Sequence, residues 1–126
     1  IKLMLSSGAS FVARVFADTK QVEEVTKEAL KHKGFSFIEV LQPCIVFHPH
    51  KGYKEKIYDL QEKGHDKSDW DKAMKKAKEF DYNGIDEKTK IPTGIFYQEK
   101  RETFTDKFKV LKDLKKKGKS FKDIDR

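Results

Sequence analysis

The stretch "SFVARVFADTKQVEEVTKEALKHKGFSFIEVL", residues 10–41, decides the fold class of this chain. Residues 10–16 are rich in β-branched and aromatic side chains, which predicts a strand. Residues 35–41 are largely apolar at both alternating sets of positions, which predicts a second strand that is buried on both faces. The segment between them has the pattern of a helix. We therefore predict a βαβ unit of an α/β fold, with the two strands parallel.

The helix of this unit is predicted by apolar residues at helical spacing, namely Val22, Val25, Ala29 and Leu30. Asp18 or Thr19 is predicted to cap its N-terminus, because either side chain can accept hydrogen bonds from the first free backbone amides. Gly34 lies where a left-handed C-cap glycine is expected. Both ends of the helix are thus marked in the sequence.

The remaining residues, 48–126, predict shorter elements with narrow apolar faces. These are a helix over 53–64, a helix over 68–80 capped by Ser68, a strand over 91–99 and a last helix capped by Thr105. Such faces bury too little apolar surface for an independent second core. We therefore divide the chain into residues 1–47, the end of an α/β domain, and residues 48–126, a mainly helical extension that lies against another surface.

The positive charge of the chain is concentrated in this extension. The net charge is +7 over 126 residues, of which residues 48–126 carry +6. Such a surplus favours an acidic partner, which can be nucleic acid, an acidic protein or a phosphorylated ligand. The lysine-rich surface of a heat-adapted protein explains it equally well. Nucleic acid is the weaker interpretation, because the lysines are interleaved with Asp and Glu and the chain has only three arginines.

No apolar run is long enough to span a bilayer and no signal-peptide pattern is present, so we expect a soluble, cytoplasmic protein without a membrane partner. A single cysteine excludes an intramolecular disulfide and fits a reducing compartment. The chain begins at Ile1 rather than at methionine, so we expect it to be part of a longer one.

The single cysteine, Cys44, directly follows the second predicted strand, within "FIEVLQPCIVFHPH" at residues 37–50. Functional groups of open parallel sheets gather beyond the carboxyl ends of strands. From the residues alone, Cys44 can be a small buried hydrophobe, a nucleophile with a histidine base, or a metal ligand. With His48 and His50 it forms a C-x3-H-x-H pattern that matches no common zinc finger. No nucleotide-binding or hydrolase motif accompanies it.

Several separate stretches resemble, in the right order, the C-terminal part of the β subunit of 2-oxoacid:ferredoxin oxidoreductases. They are "SGASFVAR" (7–14), "HKGFSFIEVLQPCIVF" (32–47), "YKEKIYDLQEKGHDKSD" (53–69) and "KIPTGIFYQEKRETF" (90–104). The resemblance implies an enzyme that oxidatively decarboxylates a 2-oxoacid, such as pyruvate or 2-oxoglutarate, to an acyl-coenzyme A. It implies thiamine diphosphate with Mg2+ as cofactor, and a 4Fe–4S cluster that passes electrons to ferredoxin.

The resemblance assigns a role to Cys44 and a parent fold to the chain. Cys44 matches the fourth cysteine ligand of the cluster, whose other three cysteines lie in the family's N-terminal region. Gln42, Val46 and His48 depart from the Ser, Thr and Asn that the family more often has around this cysteine, which puts the hydrogen bonding of the cluster in doubt. The fold implied is the C-terminal portion of a thiamine-diphosphate-binding parallel-sheet domain.

The resemblance also implies what this chain lacks and what it binds. The family's thiamine motif and the other cysteines lie upstream of Ile1, so no catalytic residue is assigned and the chain alone is expected to be inactive. Its partners are the α subunit and ferredoxin. Since ferredoxins are acidic, we interpret Lys51, Lys54 and Lys56 as a docking surface. A freestanding basic binding module for nucleic acid or an acidic protein is the alternative.

Overall fold

The computed structural model describes residues 1–17, 19–42, 46, 53–80 and 86–118. Within these residues the chain forms six helices and four strands. In chain order they are α1 (Lys2–Ser6), β1 (Phe11–Phe16), α2 (Thr19–Lys31), β2 (Ser36–Leu41), α3 (Tyr53–Lys56), β3 (Ile57–Asp59), α4 (Trp70–Ala77), β4 (Ile91–Gln98), α5 (Phe104–Lys107) and α6 (Lys109–Lys116). None of the described helices combines the length and apolarity that crossing a membrane requires.

The four strands form one mixed sheet in the order β2-β1-β4-β3. β1 and β2 are parallel, in register from Phe11 opposite Ser36 to Phe16 opposite Leu41, and α2 connects them. The predicted βαβ unit and the α/β class are therefore confirmed. β4 runs antiparallel to β1, and β3 is parallel to β4. The extension thus contributes two strands to the same sheet.

β2 is only half-buried, so the prediction that both of its faces are buried is wrong. It lies at one end of the described sheet, with β1 as its neighbour. Phe37 packs against the core on one face and Ile38 against the core on the other. Val40 is nevertheless 50% exposed, and Phe35, just before the strand, is 60% exposed. Both faces are apolar as predicted, but the described residues cover each of them only in part.

Apolar clusters pack on both faces of the sheet, and one cluster combines residues from both parts of the chain. Val12 of β1 packs there with Leu60, Ala73 and Phe96. α2 covers the opposite face, with Val25 buried against β1. Leu30 of this helix, predicted to join the buried stripe, is 81% exposed. Residues 1–47 and 48–126 therefore share a core, which explains why the extension has only narrow apolar faces of its own.

The helix predicted over residues 53–64 is wrong beyond its first turn. α3 ends at Lys56, and Ile57–Asp59 form β3, which pairs with β4. The backbone amide of Leu60 extends this pairing by donating to the carbonyl of Thr93 at 2.9 Å. The β-branched and aromatic side chains at positions 57 and 58 suit a strand. Pairing with a strand more than thirty residues away overrides the helical spacing of the apolar residues.

The structure changes two of the predicted helix caps. Asp69, not Ser68, caps α4 by accepting a hydrogen bond from the amide of Lys72 at 3.0 Å. Ser68 is instead bonded to Asp66, which accepts from its hydroxyl at 2.7 Å. Thr103, not Thr105, caps α5 through a capping box with Asp106. Where several cap-forming residues lie close together, local competition selects among them.

At the ends of α2, Asp18 lies outside the described residues, and Gly34 lies three residues beyond the helix end at Lys31. Gly34 has a φ of +137°, and a Cβ on it would lie 2.5 Å from the hydroxyl oxygen of Ser10. It is therefore a turn glycine required by a close approach, rather than a cap immediately after the helix.

Gly94 of β4 lies next to a β-bulge and under the side chain of Gln61. Val12 lies opposite Tyr97 and Ala13 opposite Ile95, so Phe96 is the extra residue on β4. Gly94 has a φ of +99°. The side chain of Gln61 crosses it to bond both backbone groups of Ile95, accepting from the amide at 2.9 Å and donating to the carbonyl at 2.8 Å. Gln61 thereby continues the ladder where β3 has ended.

Replacing Gly94 by alanine tests this arrangement. A Cβ at Gly94 would lie 2.2 Å from Oε1 of Gln61, so this side chain must give up its bonds to Ile95. We expect Gly94→Ala to cost about 1–2 kcal/mol for the positive φ and roughly another 1–3 kcal/mol for the displaced hydrogen bonds. The control is Gly64→Ala, since Gly64 also has a positive φ of +70° but open space around it. If chemical denaturation shows the same loss of unfolding free energy in Gly94→Ala and Gly64→Ala, the close approach of Gln61 is not what makes Gly94 necessary.

Candidate functional site

The predicted iron ligand, Cys44, lies outside the part of the chain that the structure describes. The same is true of His48, His50 and Lys51. Lys54 and Lys56 are described: both belong to α3, where Lys54 is exposed and Lys56 half-buried. The structure of the site is therefore given by the elements that flank these positions.

One edge of the sheet brings these flanking elements together. β1 and β2 end there, at Phe16 and Leu41, and β3 and β4 begin there, at Ile57 and Ile91. The amide of Ala17 donates to the carbonyl of Leu41 at 3.0 Å, which joins the ends of β1 and β2. With adjacent strands about 4.8 Å apart, the start of β3 lies roughly 14 Å across the sheet from the end of β2. Lys54 and Lys56 thus belong to the edge from which the chain leaves towards Cys44.

A hydrogen-bond network around Gln21 fixes the elements at this edge. The amide group of Gln21 donates to Asp59 at 2.9 Å and to the hydroxyl of Thr93 at 3.0 Å. Its oxygen accepts from the backbone of Phe16 at 3.2 Å. Thr93, which is fully buried, donates to the carbonyl of Tyr58 at 3.2 Å. The network thereby joins α2, β1, β3 and β4. Its polar groups find their hydrogen-bond partners within the network, so we assign it a structural role.

A cleft of about 380 Å³ lies above this network, between the start of α2 and the α3–β3 segment. Its lysines are Lys20 and Lys54, and its carboxylates are Glu24, Asp59 and Glu62. The carboxylates outnumber the lysines, so this cleft offers an anion no net attraction.

A larger cleft of about 700 Å³ lies on the other side of β3, between the end of α4 and residues 87–90. Its basic residues are Lys56, Lys63, Lys76, Lys88 and Lys90, and its acidic ones are Glu55, Glu79 and Glu87. The lining is therefore net positive. Lys56, one of the predicted docking lysines, belongs to this cleft.

A half-buried part of the wall of the larger cleft is formed by Tyr58, Lys76 and Glu79. The hydroxyl of Tyr58 donates to Glu79, and the ammonium group of Lys76 donates to Glu79 at 2.8 Å and to Tyr58 at 3.1 Å. Burial, and then the hydrogen bond to Glu79, raise the pKa of Tyr58. The hydrogen bond to Glu79 raises the pKa of Lys76. Burial opposes the ionisation of Glu79, but the hydrogen bonds from Lys76 and Tyr58 outweigh it and lower its pKa.

The described residues contain no group of three or more His, Cys, Asp or Glu that could hold a metal ion. Nε2 of His32 lies 2.9 Å from the hydroxyl of Ser10, and burial lowers the pKa of His32. His65 donates to the carbonyl of Phe96 at 2.8 Å. Both histidines therefore have structural partners. The C-x3-H-x-H pattern lies outside the described residues and stays a hypothesis.

The sequence did not identify Gln21 or the Tyr58–Lys76–Glu79 cluster. Lys76 and Glu79 are three residues apart, a spacing that predicts an ion pair in a helical segment. Tyr58 comes from β3, a strand that the sequence predicted as helix. The convergence of the three side chains is therefore visible only in the structure.

A family model and several known proteins similar to this chain point to the same group of enzymes. The family model that describes the C-terminal region of the pyruvate ferredoxin oxidoreductase beta subunit matches residues 47–113. The 2-oxoacid:ferredoxin oxidoreductase subunit beta of Saccharolobus solfataricus is 40% identical over 109 residues, which cover 78% of this chain and 34% of that protein. The 2-oxoglutarate synthase subunit KorB of Archaeoglobus fulgidus is 30% identical over 125 residues, covering 98% of this chain and 41% of that one.

A solved structure agrees in fold. It is a 2-oxoglutarate:ferredoxin oxidoreductase from Magnetococcus marinus with 2-oxoglutarate, coenzyme A and succinyl-CoA bound. The TM-score is 0.72 at 27% identity, covering 95% of this chain and 39% of that one. This chain thus spans between a third and two fifths of the length of the proteins it matches.

Replacing Glu79 by glutamine tests the cluster in the larger cleft. The pKa of Glu79 is lowered from its ordinary value of 4.5, so its ionised form stabilises the fold at neutral pH. That contribution is lost as the pH falls through the lowered pKa. We expect Glu79→Gln to reduce the free energy of unfolding by roughly 1 kcal/mol at pH 7. The difference from the parent chain should shrink as the pH falls below 4.5.

The matched control is Glu23→Gln, which removes an exposed ion pair between Glu23 and Lys27. Exposed pairs contribute little, so we expect a change below about 0.5 kcal/mol at pH 7. The free energy of unfolding of both variants and of the parent chain is measured from denaturation curves at pH values from neutral to acidic. A loss in Glu79→Gln that does not depend on pH would contradict the ionic role of this carboxylate.

Proposed function

Since this chain belongs to the family formed by the C-terminal regions of pyruvate ferredoxin oxidoreductase β subunits, we propose that it is the C-terminal part of a 2-oxoacid:ferredoxin oxidoreductase β subunit. The intact enzyme oxidatively decarboxylates a 2-oxoacid to an acyl-coenzyme A and passes the electrons to ferredoxin. The family match over residues 47–113 carries this proposal. The relatives differ in naming pyruvate, 2-oxoglutarate or 2-oxoacids in general, so the substrate is proposed only as a 2-oxoacid.

In this proposal Cys44 is the fourth thiolate ligand of a 4Fe–4S cluster, whose other cysteines lie elsewhere in the subunit. Thiolates are the ligands of such clusters, and a bound cluster supplies one-electron transfer. The position of the preceding strand supports this proposal. Leu41, three residues before Cys44, is fixed at the end of β2 by the hydrogen bond that its carbonyl accepts from the amide of Ala17. Chain length alone keeps Cys44 within about 11 Å of Leu41.

Lys51, Lys54 and Lys56 form the proposed docking surface for ferredoxin. Lys54 and Lys56 precede β3 and so belong to the same sheet edge as the chain segment that carries Cys44. A positive surface beside the point of electron exit attracts an acidic partner over long range and speeds encounter more than it tightens the complex.

The other assignments follow from the same proposal. Thiamine diphosphate with Mg2+ is bound by other parts of the enzyme, and no residue of this chain is given a catalytic role. The α subunit and any other subunits of the enzyme are the proposed partners besides ferredoxin, the 2-oxoacid and coenzyme A, and the cytoplasm is the proposed compartment. Residues 1–47 form the end of the cofactor-binding domain and residues 48–126 the extension, as two parts that share one sheet and one core.

A freestanding basic module for nucleic acid or an acidic protein remains the alternative, but no specific observation favours it. On α2 the lysines are paired with glutamates one turn away, as in Lys27 with Glu23 and Lys31 with Glu28. Such pairing does not build the continuous positive face that a nucleic-acid backbone requires.

The iron-ligand proposal is tested in the full-length subunit by Cys44→Ala. We expect the iron content and the cluster absorbance to fall, because alanine removes one of four thiolates and offers no ligand in its place. The control is His48→Ala. This variant should keep its iron if Cys44 is a cluster ligand, and should lose metal if Cys44 and the histidines of the C-x3-H-x-H pattern form a site together. Unchanged iron content together with unchanged electron transfer to ferredoxin in Cys44→Ala would overturn the assignment.

The docking proposal is tested by reversing Lys51, Lys54 and Lys56 to glutamate in the intact enzyme. We expect the Michaelis constant for ferredoxin to rise about tenfold at low salt and its salt dependence to flatten. Reduction of a small uncharged dye should be unaffected.

A matched triple reversal on α6 provides the control, with the same change of net charge at three exposed lysines: Lys109, Lys112 and Lys116. It should leave the Michaelis constant for ferredoxin nearly unchanged. If both triple variants act alike, only the net charge matters and the docking surface is not where we place it.

A further inference from the structure

Apart from Lys56, the larger cleft carries positive charge that the proposed function does not use. Among the described residues, no carboxylate lies within ion-pair distance of Lys56, Lys63, Lys88 or Lys90. Lys76 is the exception, since Glu79 neutralises it at 2.8 Å. Four of the five lysines of the cleft therefore form no ion pair in the described structure, although Lys56 attracts Asp86 and Lys90 attracts Glu79 at longer range.

The carboxylates near this cleft do not cancel that charge. Glu79 is fully engaged by Lys76 and Tyr58. Asp86, just outside the lining, accepts from the hydroxyl of Thr89 at 2.6 Å and from the backbone of Lys88 at 3.0 Å. With Asp86 included, four carboxylates stand against the five lysines of the lining, so a net positive charge is left in the concavity.

The lysines converge from segments that are distant in the chain. Lys56 ends α3, Lys63 follows β3, and Lys88 and Lys90 precede β4. The pairing of β3 with β4 is what brings these segments together. Like charges gathered in a concavity repel one another, and an anion that enters it relieves this repulsion.

We propose that this cleft binds a small polyanion with two or more adjacent phosphate groups, such as an inorganic polyphosphate or a nucleoside polyphosphate. Its volume of about 700 Å³ is that of a small-molecule site. Lysine binds phosphate as a compact point charge, without the planar geometry that arginine imposes. Linked phosphates place several negative charges in a small space, whereas the carboxylates of a protein surface are singly charged and spread apart. The site is distinct from the proposed docking lysines, with which it shares only Lys56.

The experiment uses the assembled enzyme with the full-length β subunit, titrated calorimetrically with tripolyphosphate, ATP and adenosine. The test variant combines Lys63→Gln, Lys88→Gln and Lys90→Gln and leaves Lys56 in place. The control variant combines Lys109→Gln, Lys112→Gln and Lys116→Gln on α6. We expect the affinity for tripolyphosphate to fall at least about tenfold in the test variant and to stay within about twofold in the control. Adenosine should not compete.

A site-resolved readout separates this cleft from any other anion site of the enzyme. Tripolyphosphate should protect Lys63, Lys88 and Lys90 from acetylation, as measured by mass spectrometry, and leave Lys109 and Lys112 as reactive as before. If ATP protects more strongly than tripolyphosphate, the ligand is a nucleotide. If the two are equal, the phosphate chain alone is recognised.

Three outcomes would overturn the proposal. The first is no protection of the cleft lysines at any tripolyphosphate concentration. The second is an equal loss of affinity in the test and control variants, which would indicate unspecific attraction to net charge. The third is a test variant that binds tripolyphosphate normally but has a raised Michaelis constant for ferredoxin, because the cleft would then belong to a protein-docking surface. Loss of the ferredoxin docking role alone would leave the phosphate result intact.

Discussion

The pairing of β4 with β1 is the constraint on which the rest of this structure depends. β4 is buried along all but its last residue, and it lies between β1 from the first part of the chain and β3 from the second. Without it, β3 has no partner among the described strands, and the segments that form the two clefts lose their common frame. Gln61 extends the pairing of β3 with β4 beyond the short β3, because its side-chain amide bonds the backbone of Ile95 where β3 has ended.

The strand that pairs with β4 carries a buried charged side chain, Arg14. Arg14 of β1 is 1% exposed, forms an ion pair with Glu39 of β2, and lies 5.1 Å from the ring centre of Phe80 and 5.5 Å from that of Phe96. A buried guanidinium is tolerated only when it is paired and surrounded in this way. Because its partners come from β2, β4 and the residues that follow α4, Arg14 allows only one register of the sheet without leaving a buried charge unpaired.

How far the sequence predicts this fold depends on how local each signal is. The β1–α2–β2 unit is encoded within residues 10–41, where propensity, periodicity and a turn glycine agree, and it forms as expected. β3 has three residues, and only its contact with β4 makes it a strand, so the local pattern predicted helix there. For the proposed docking surface, Lys54 and Lys56 were chosen from their nearness to Cys44 in the chain. In the Tyr58–Lys76–Glu79 cluster, the spacing of Lys76 and Glu79 is a local signal, but nothing local places Tyr58 of β3 beside them.

The two clefts on either side of β3 also show how the surplus of lysine should be interpreted. A lysine-rich surface adapted to heat gains stability from ion pairs and their networks. That explanation fits α2, where Lys27 and Lys31 each have a glutamate partner one turn away. It fits the smaller cleft too, where carboxylates match the lysines. It does not fit the larger cleft, because lysines that outnumber the carboxylates around them and form no ion pair with them destabilise the fold by their mutual repulsion. Such a cost is consistent with function rather than stability, since functional sites are where structures keep unfavourable interactions that a ligand relieves.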